Sequence, residues 1–338
     1  MTTTATMTSS RTERFRRLLV ALVMAAVLAA MMLAVVMVVG ARPAQAAYPG
    51  ANGKIVFQSE RTTGTGVDNP TGDFEIFTMN KDGTGVTQLT HNTAFDAQPA
   101  FSDDGSVVVF TSDRDGNKEI YVMNSDGTDE GRMTFNTTPE NNPTISPNGT
   151  TIAYESIRNG NSEIIVQGGI FEGNFTNNSV ADTNPTFSPD GTKIAFQSDR
   201  DSNNEIYVMD TDPDTNDATN LSNNPAYEDD PAWSPNGQRI AFTSLRNANY
   251  DIYVMNALDG SSQKRLTRNA AIDNVPAWSP DGTKIAFSRE SVKNGIHNAE
   301  IYTMKARPEG RKYRNRPINL TRTDAVYDYS PDWQPLVN

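Results

Sequence analysis

A single block of sequence recurs along this chain and restricts its fold more than any other feature. The clearest copy starts at Asp182, turns at Asp190-Gly191 and ends with Ile206-Tyr207-Val208-Met209. Its Asp-Gly or Asn-Gly step recurs at Gly53, Gly105, Gly149, Gly191, Gly237 and Gly282. After a first interval of 52 residues, these glycines lie 42–46 residues apart. A period of about 40–45 residues with several short strands per unit is typical of a β-propeller blade.

Each repeat is predicted to contain four strands. In the fifth copy, residues 231–234 form the first strand and an Asn-Gly pair, a strong hairpin signal, turns the chain. Residues 240–244 and 251–255 form the second and third strands, and a short fourth strand ends at Leu266-Thr267. The third strand is apolar on both faces, as expected for a strand between neighbouring blades.

The two ends of the repeat region complement each other. The chain finishes with Asp328, Pro331 and Trp333, a first strand without a successor. After the leader it begins with Asn52-Gly53, followed by a second strand without a predecessor. We therefore predict an all-β fold over residues 47–338: a six-bladed β-propeller of four-stranded antiparallel blades. The N- and C-terminal strands pair in one blade, which removes exposed sheet edges.

The repeated motifs identify a family resemblance. They are Pro-x-Trp-Ser-Pro-Asp-Gly, Ile-Ala-Phe-x-Ser-x-Arg and Glu-Ile-Tyr-Val-Met-Asn. Over roughly residues 50–335 the chain resembles the TolB-type propeller repeat, a relative of the WD repeat. The resemblance implies the fold more strongly than the function, because the repeat occurs in envelope proteins and in several peptidases. TolB proteins carry an N-terminal α/β domain, and nothing of that length precedes Gly53, so the resemblance covers the propeller domain alone.

The first 46 residues have the pattern of a targeting segment. A basic stretch holds Arg11, Arg14, Arg16 and Arg17. An uncharged run of 22 residues follows, from Leu18 to Val39, and Ala44-Gln45-Ala46 matches a cleavage site. We expect a signal peptide over residues 1–46, with an uncleaved membrane anchor as the alternative, since the run is long enough to span a bilayer. Either outcome places the propeller outside the cytoplasm, secreted or periplasmic, with membrane contact only through an uncleaved leader.

Composition narrows the class of partner. The formal net charge is −12, and residues 47–338 hold 24 basic and 40 acidic residues. So acidic a domain is not expected to bind nucleic acid, since such binding depends on releasing counterions from phosphates. The chain has no cysteine, so neither disulfides nor thiol chemistry contribute. We expect a monomer whose partner is a protein or a component of the cell envelope.

Three sets of polar residues recur at what we call the top face, where the second strand leads to the third and the fourth strand leads to the next blade. The first set, called here the first-strand acids, lies three positions before the motif proline of each first strand: Asp96, Glu140, Asp182, Glu228, Asp273 and Asp328. The second strands end in Arg61, Arg114, Arg158, Arg200 and Arg246, with Ser291 in the sixth copy. The third strands begin with Glu75, Glu119, Glu163, Glu205, Asp251 and Glu300.

Two interpretations of these sets are open. In the structural one, each arginine bridges two carboxylates and ties a hairpin to the adjacent blade, which sixfold repetition favours. In the functional one, the ring of first-strand acids at the channel mouth binds a cation or a basic peptide end.

Carboxylates at alternating positions raise the question of a metal. Asp210, Asp212 and Asp214 could offer hard oxygen ligands to Ca²⁺. Two further loops have this spacing, namely Asp113, Asp115, Asn117, Glu119 and Asp199, Asp201, Asn203, Glu205. The stretch that starts at Asp210 completes no EF-hand, because its twelfth position is Leu221, and hairpin turns rich in Asp and Gly have the same composition. We expect no cofactor, with Ca²⁺ as the alternative.

Signals for catalysis are sparse. The chain has two histidines, His91 and His297, and no Gly-x-Ser-x-Gly elbow. Oligogalacturonate lyases, which it distantly resembles, use a His-rich metal site that these two residues do not supply. Paired channel carboxylates could still serve a glycosidase.

Two irregular loops interrupt the repeats. The stretch from Thr62 to Asp73 is a long top-face loop. A bottom-face basic cluster comprises Lys305, Arg307, Arg311, Lys312, Arg314 and Arg316. The cluster could dock an anionic surface or be a solvated loop.

The sequence thus predicts an exported, non-catalytic propeller that binds a protein or envelope component through its top face. The alternative is a secreted or periplasmic propeller enzyme, a glycosidase or a lyase, that uses channel carboxylates with or without a metal ion.

Overall fold

The computed structural model describes residues 51–212, 217–293, 296–306, 316–323 and 325–336. Within these ranges the chain forms 24 strands in six separate four-stranded antiparallel sheets. The predicted six-bladed propeller of four-stranded blades is therefore confirmed. The described residues contain no helix, and accordingly none that is long and apolar enough to cross a bilayer.

The strands follow one another from the channel outward in every blade. Blade 1 contains β24 (Asp328–Leu336), β1 (Ala51–Ser59), β2 (Glu75–Met79) and β3 (Thr87–Gln88). Blade 2 contains β4 (Asp96–Phe101), β5 (Val107–Ser112), β6 (Glu119–Asn124) and β7 (Gly131–Arg132). Blade 3 contains β8 (Glu140–Ile145), β9 (Thr151–Arg158), β10 (Asn161–Gly168) and β11 (Phe171–Asn174).

The other three blades have the same order. Blade 4 contains β12 (Asp182–Phe187), β13 (Lys193–Ser198), β14 (Glu205–Asp210) and β15 (Thr219–Asn220). Blade 5 contains β16 (Glu228–Trp233), β17 (Arg239–Ser244), β18 (Asp251–Asn256) and β19 (Lys264–Arg265). Blade 6 contains β20 (Ile272–Trp278), β21 (Lys284–Lys293), β22 (Ile296–Lys305) and β23 (Ile318–Asn319).

Blade 1 joins the two ends of the propeller. β24 pairs antiparallel with β1, so that Trp333 lies opposite Ile55 and Asp328 lies opposite Ser59. The inner strand of this blade thus comes from the C-terminal part of the chain, as the sequence predicted. Pairing satisfies backbone groups that would otherwise form an open sheet edge.

The core lies between blades, because the second and third strands are apolar on both faces. Phe57 and Phe77 of blade 1 are fully buried and share a cluster with Ala286 and Ile301 of blade 6. Equivalent clusters fill the other blade interfaces; in one, Val56 and Ile76 of blade 1 join Phe101 and Phe110 of blade 2. Each blade is therefore stabilised mainly by its neighbours.

A β-bulge interrupts every inner strand at the same place, two residues after the first-strand acid. The bulged residue adopts a left-handed conformation, with φ between 48° and 55°. These residues are Gln98, Asn142, Asn184, Asp230, Val275 and Ser330. Bulges bend a strand and redirect its side chains. Here the bulged residue of every blade lines the channel, and in blades 5, 6 and 1 the residue before it does so as well.

Blade 6 departs from the regular pattern at the top face. In blades 1, 2, 4 and 5 the second and third strands stop pairing at the third-strand acid, and in blade 3 they continue for two more pairs. β21 and β22 continue for four more pairs beyond Arg289 and Glu300. Their extension carries Glu290 along the channel wall and leaves Val292 61 % exposed. Blade 6 thus projects a hairpin above the top face.

Several sequence predictions fall on residues that are not described. These include the leader over residues 1–46 and the proposed anchor within it. They also include most of the basic cluster, since residues 307–315 lie outside the described ranges.

Candidate binding site

The six first-strand carboxylates of the top face are buried within the blades. Each residue is 0 % exposed. Each carboxylate lies near an arginine of the second strand of its own blade. The N···O distances are Arg61–Asp328 2.6 Å, Arg114–Asp96 2.7 Å, Arg158–Glu140 3.8 Å, Arg200–Asp182 3.0 Å, Arg246–Glu228 2.7 Å and Arg289–Asp273 2.6 Å.

Ser291 occupies the repeat position that holds an arginine in the other blades, and Arg289, two residues earlier, supplies the sixth guanidinium. Arg289 lies opposite Glu300 in the hairpin, the position that Ser244 occupies opposite Asp251 in blade 5. Its guanidinium therefore reaches Asp273 from two residues earlier in the strand. Ser291 is exposed on the projecting hairpin. Comparing the repeats by position missed Arg289 because it does not stand at the repeated arginine position.

The arginines do not bridge to the third-strand acids, contrary to the expected geometry. Arg200 donates from Nε to Ser198 and from Nη2 to Asp182, and its guanidinium lies over the rings of Phe196 and Tyr207. Glu205 instead accepts hydrogen bonds from the Ser222 hydroxyl and the Asn224 backbone N–H. The arginine therefore fixes the hairpin within a blade and does not join two blades.

Connection between blades depends on an asparagine that the sequence analysis did not single out. Asn178 donates its backbone N–H to Glu163 of blade 3 (3.0 Å) and its side-chain amide to Asp182 of blade 4. Asn92 does the same with Glu75 and Asp96. The sequence could have indicated this role, because an asparagine stands at this position after the fourth strand in five of the six repeats.

Burial dominates the electrostatics of this ring. Removal from water raises the pKa of the first-strand acid Glu140 to about 7 and that of the neighbouring third-strand acid Glu75 to about 8. Burial also raises the pKa of Asp96, although the Ser112 hydroxyl and the Arg114 guanidinium oppose the shift. The carboxylates face donors from the protein itself, so a ligand could reach them only by displacing those donors. Ligand binding by the ring stays a prediction.

A cavity of about 500 Å³ occupies the channel next to the ring. The bulged residues Gln98, Asn142 and Asn184 line one part of it, and Asp230, Val275 and Ser330 line another. Polar side chains connect across the wall: the Asn142 amide donates to Asn184, and the Asn184 amide donates to Asp229 at 2.7 Å. The cavity wall is thus a continuous hydrogen-bonded belt.

Aromatic side chains surround the top-face end of the cavity. Phe95 and Tyr227 each precede a first-strand acid, and Tyr250 precedes the third strand of blade 5. The rings of Tyr227 and Tyr250 meet edge to face, with centroids 6.2 Å apart and planes at 89°. Tyr227 is 37 % exposed. Aromatic groups that combine an apolar face with a polar tip are well suited to contact a ligand there.

One side of the cavity is acidic. Asp229, Asp230 and Glu290 line it, and no lysine or arginine does so among the described residues. Burial raises the pKa of Asp229 well above its usual range, and the negative charge of Asp230 raises it further. Burial raises the pKa of Asp230 as well. Asp230 accepts hydrogen bonds from the Thr243 hydroxyl (3.0 Å) and the Val275 backbone N–H (3.2 Å).

The cavity residues were not predicted from the sequence, because the predictions used positions that are the same in every repeat and the cavity residues differ from blade to blade. The two positions after the first-strand acid read Ala-Gln, Asn-Asn, Thr-Asn, Asp-Asp, Asn-Val and Tyr-Ser. A strand alternates its side chains between faces, so adjacent residues are not both expected to line one channel. The bulge removes that alternation. Variation within an otherwise regular repeat was the available signal.

The predicted calcium ligands serve other contacts where they are described. Asp210 pairs with the Lys193 ammonium group, and Asp214 lies outside the described residues. In the related loops, Asp115 and Asp201 accept from tyrosine hydroxyls, and the Asn203 amide donates to Glu205. Across the described ranges, no group of three His, Cys, Asp or Glu residues could hold a metal ion. His91 and His297 are both exposed. Binding of Ca²⁺ stays a prediction.

Solved structures share this architecture at low sequence identity. TolB from Acinetobacter baumannii is 20 % identical with a TM-score of 0.69, covering 84 % of this chain and 67 % of that one. A protein from Agrobacterium tumefaciens assigned as TolB is 19 % identical with a TM-score of 0.59, covering 85 % of this chain and 100 % of that one. Hydrazine synthase from Kuenenia stuttgartiensis is 14 % identical with a TM-score of 0.66, covering 86 % and 48 %. At these identities the likeness concerns the fold alone.

The family model gives the more specific match. The model of the TolB beta propeller domain matches residues 29–171 and 211–335, which is most of the chain. Its two segments include the strands that close blade 1 and five of the six bulged inner strands, while β12 lies between the segments. The chain therefore belongs to the TolB beta propeller domain family.

Proposed function

We propose that this protein is an exported, non-catalytic propeller that binds a protein or another component of the cell envelope. The observation that carries the proposal is the channel cavity of about 500 Å³, which has aromatic side chains at its top-face end. Membership of the TolB propeller family supports a role in protein binding. The leader predicted over residues 1–46 supports an extracytoplasmic location.

The cavity suits a ligand better than the buried ring does. The ring acids are 0 % exposed and held by arginine, serine and asparagine donors, so binding there would break existing interactions. The cavity wall presents polar groups already fixed by the belt around Asn184. Groups held in place before binding lose less conformational freedom on association.

The top-face aromatics give a partner its anchor. Tyr227 and Tyr250 present ring area with few rotatable bonds, and residues of this type dominate many binding interfaces. The blade 6 hairpin stands beside the cavity and offers Val292, which is 61 % exposed, as a further apolar contact. A monomeric propeller needs no second copy to form this surface.

Site-specific photo-crosslinking tests the proposal. A photo-reactive phenylalanine analogue is placed at Tyr227 or, as the control, at Leu258, which is 93 % exposed in a turn at the opposite face. After irradiation in envelope extract, a partner should be captured at position 227 and not at 258. The captured protein is then purified, and Tyr250→Ala should weaken its affinity for the intact propeller at least tenfold. Equal capture at both positions would contradict the proposal.

An enzymatic role is the second candidate, and the acidic cavity wall favours it. A carboxyl group with a raised pKa, such as Asp229, could act as a general acid. Its test is turnover of glycosides and uronate oligosaccharides by the pure protein. Turnover that is abolished by Asp229→Asn would replace the binding role with catalysis.

A further inference from the structure

The two groups of acids at the top face differ in how their charge is balanced. Every ring acid lies within 4.0 Å of an arginine of its own blade. Asp229 and Asp230 instead accept hydrogen bonds from neutral donors: the Asn184 amide, the Tyr227 and Thr243 hydroxyls, and the backbone N–H groups of Asp230 and Val275. In the described part of the chain they form no ion pair. Each ring acid is thus paired with an arginine, whereas the acids of the cavity wall have no positively charged partner among the described residues.

The surroundings of this wall match a positively charged organic group. Tyr227 and Tyr250 line the cavity together with Asp229, and the planes of their rings lie at 89° to each other. A lysine ammonium or arginine guanidinium is attracted both to carboxylates and to aromatic faces. Glu290, on the projecting hairpin, adds a third carboxylate to the cavity lining. Shielding from bulk water strengthens such attractions.

We propose that the wall formed by Asp229, Asp230, Glu290, Tyr227 and Tyr250 binds a lysine or arginine side chain of the protein partner. The proposal rests on the proposed function and names the chemical group that the partner inserts. The cavity holds about 500 Å³, which leaves room for a long side chain and its adjoining backbone. The charged group then supplies the positive charge that the wall lacks.

The hydrogen-bond pattern favours such a group over a divalent metal ion. Asn184 donates to Oδ1 of both Asp229 and Asp230, and two donors already occupy Oδ2 of Asp230. A divalent ion needs several free oxygen ligands at short range. An ammonium or guanidinium group needs fewer and tolerates neighbouring amide donors.

Short peptides provide a direct test. The probes are acetylated, amidated Gly-Gly-X-Gly-Gly peptides in which X is lysine, arginine, norleucine or glutamate. Binding to the intact propeller is measured by NMR titration at pH 7.5, at low and at physiological salt. We expect the lysine or arginine peptide to bind at least tenfold more tightly than the norleucine peptide, with affinity falling as salt rises. The glutamate peptide should bind most weakly.

Variants locate the preference. Asp229→Asn combined with Asp230→Asn should reduce the preference for lysine or arginine over norleucine at least fivefold. Asp82→Asn combined with Asp126→Asn, a matched loss of two acids in exposed bottom-face turns, should leave that preference unchanged. Thermal melts confirm that the double variant is folded. Should it not fold, Tyr250→Leu serves instead and should reduce the same preference.

The outcomes separate this inference from the proposed function. If all four peptides bind equally or none binds while crosslinking at Tyr227 still captures a partner, the cationic inference is overturned and the binding role stands. If crosslinking also fails, both are overturned. Binding of Ca²⁺ alone that is lost in the double variant, with no lysine or arginine preference, would assign the wall to a metal and overturn the inference.

Discussion

Arg246 contacts both oxygens of Glu228, with Nε–Oε1 and Nη2–Oε2 distances of 2.7 Å each. In blade 3 the corresponding Arg158 approaches Glu140 only to 3.8 Å and instead donates to Thr138 and Ser156. The same repeat position therefore holds a bidentate ion pair in one blade and a looser contact in another. Bidentate pairs are the stronger type.

Replacing these arginines should destabilise the propeller unequally. Arg246→Met leaves a fully buried Glu228 without its cation, and we expect the free energy of unfolding to fall by about 2–3 kcal/mol. Arg200→Met should cost about 1–3 kcal/mol for the same reason, and Arg158→Met about 1 kcal/mol. Urea unfolding of the three variants measures these losses.

An exposed ion pair provides the control for that series. Lys193 and Asp210 are 46 % and 49 % exposed, so Lys193→Met should change stability by less than about 0.5 kcal/mol. Near-wild-type stability of Arg246→Met would show that the ring is not a structural pin and would favour a ligand-binding role.

Asp332 should make stability depend on pH. Its carboxylate accepts the Phe101 backbone N–H of blade 2 at 2.8 Å, and burial raises its pKa to about 6. A carboxyl with a raised pKa is more easily protonated in the folded state, so its contribution to stability is present below about pH 4 and lost as pH rises through about 6. Asp332→Asn should therefore gain melting temperature relative to wild type between pH 4 and pH 7.

Asp281 supplies a control with the opposite sign. Hydrogen bonds from Ser279 and Thr283 outweigh the effect of burial and lower the pKa of Asp281. Its contribution is present above about pH 4 and lost as pH falls further. Asp281→Asn should thus be less stable than wild type above about pH 4, with the difference shrinking as pH falls further. A pH-independent difference between wild type and Asp332→Asn would contradict the first prediction.

Shortening the C-terminus should disrupt blade 1. Deleting residues 330–338 removes most of β24 and exposes the edge of β1. We expect aggregation or loss of the cooperative transition in circular dichroism melts, because an unpaired edge recruits other strands. Removing residues 337–338 alone leaves β24 intact and should preserve the melt. A soluble long truncation with an unchanged melting temperature would rule out this closure.

The asparagine between blades 3 and 4 should contribute measurably. Asn178→Ala removes the side-chain donor to buried Asp182 and the acceptor for the Val180 N–H. We expect a loss of about 1–2 kcal/mol in the free energy of unfolding. Ser179→Ala, at the exposed neighbouring position, should have little effect. Equal effects of the two substitutions would argue against a specific role for Asn178.

Val275 offers a route to higher stability. It is a β-branched residue held at φ 48°, where such side chains are strained, whereas Asn142 and Asn184 occupy the same position in other blades. Asn tolerates this conformation, so Val275→Asn should raise stability by up to about 1 kcal/mol. Differential scanning calorimetry measures the change. A lower melting temperature would show that the apolar contacts of Val275 outweigh its backbone strain.

The blades could be predicted from sequence because their signals are local and repeated. The Asp-Gly turns, the strand apolar on both faces and the missing strand at each end lead directly to six closed blades. The pairing of Arg200 with Asp182 could not be obtained this way. Both Asp182 and Glu205 are buried at the same face, and only the three-dimensional geometry decides which one the guanidinium reaches.

The candidate site was harder to predict for a different reason. Asp229 and Asp230 are adjacent, and a regular strand would direct them to opposite faces. The left-handed residue at Asp230 brings both to the cavity. Arg289 was missed because it stands two residues before the position that holds the arginine in the other blades. The bulged residues and Arg289 thus both depart from the repeated pattern that the sequence shows.

Pairing of Ala51 with Leu336 also has a kinetic meaning. During synthesis β1 is the first strand to leave the ribosome, and its sheet cannot be completed until β24, the last strand, has been synthesised. Contacts between segments so distant in sequence are slow to form. Until then, β1 presents an unpaired edge beside five blades that can already pack. We therefore expect ring closure to be the late step of folding and the stage at which the chain is most exposed to misassembly.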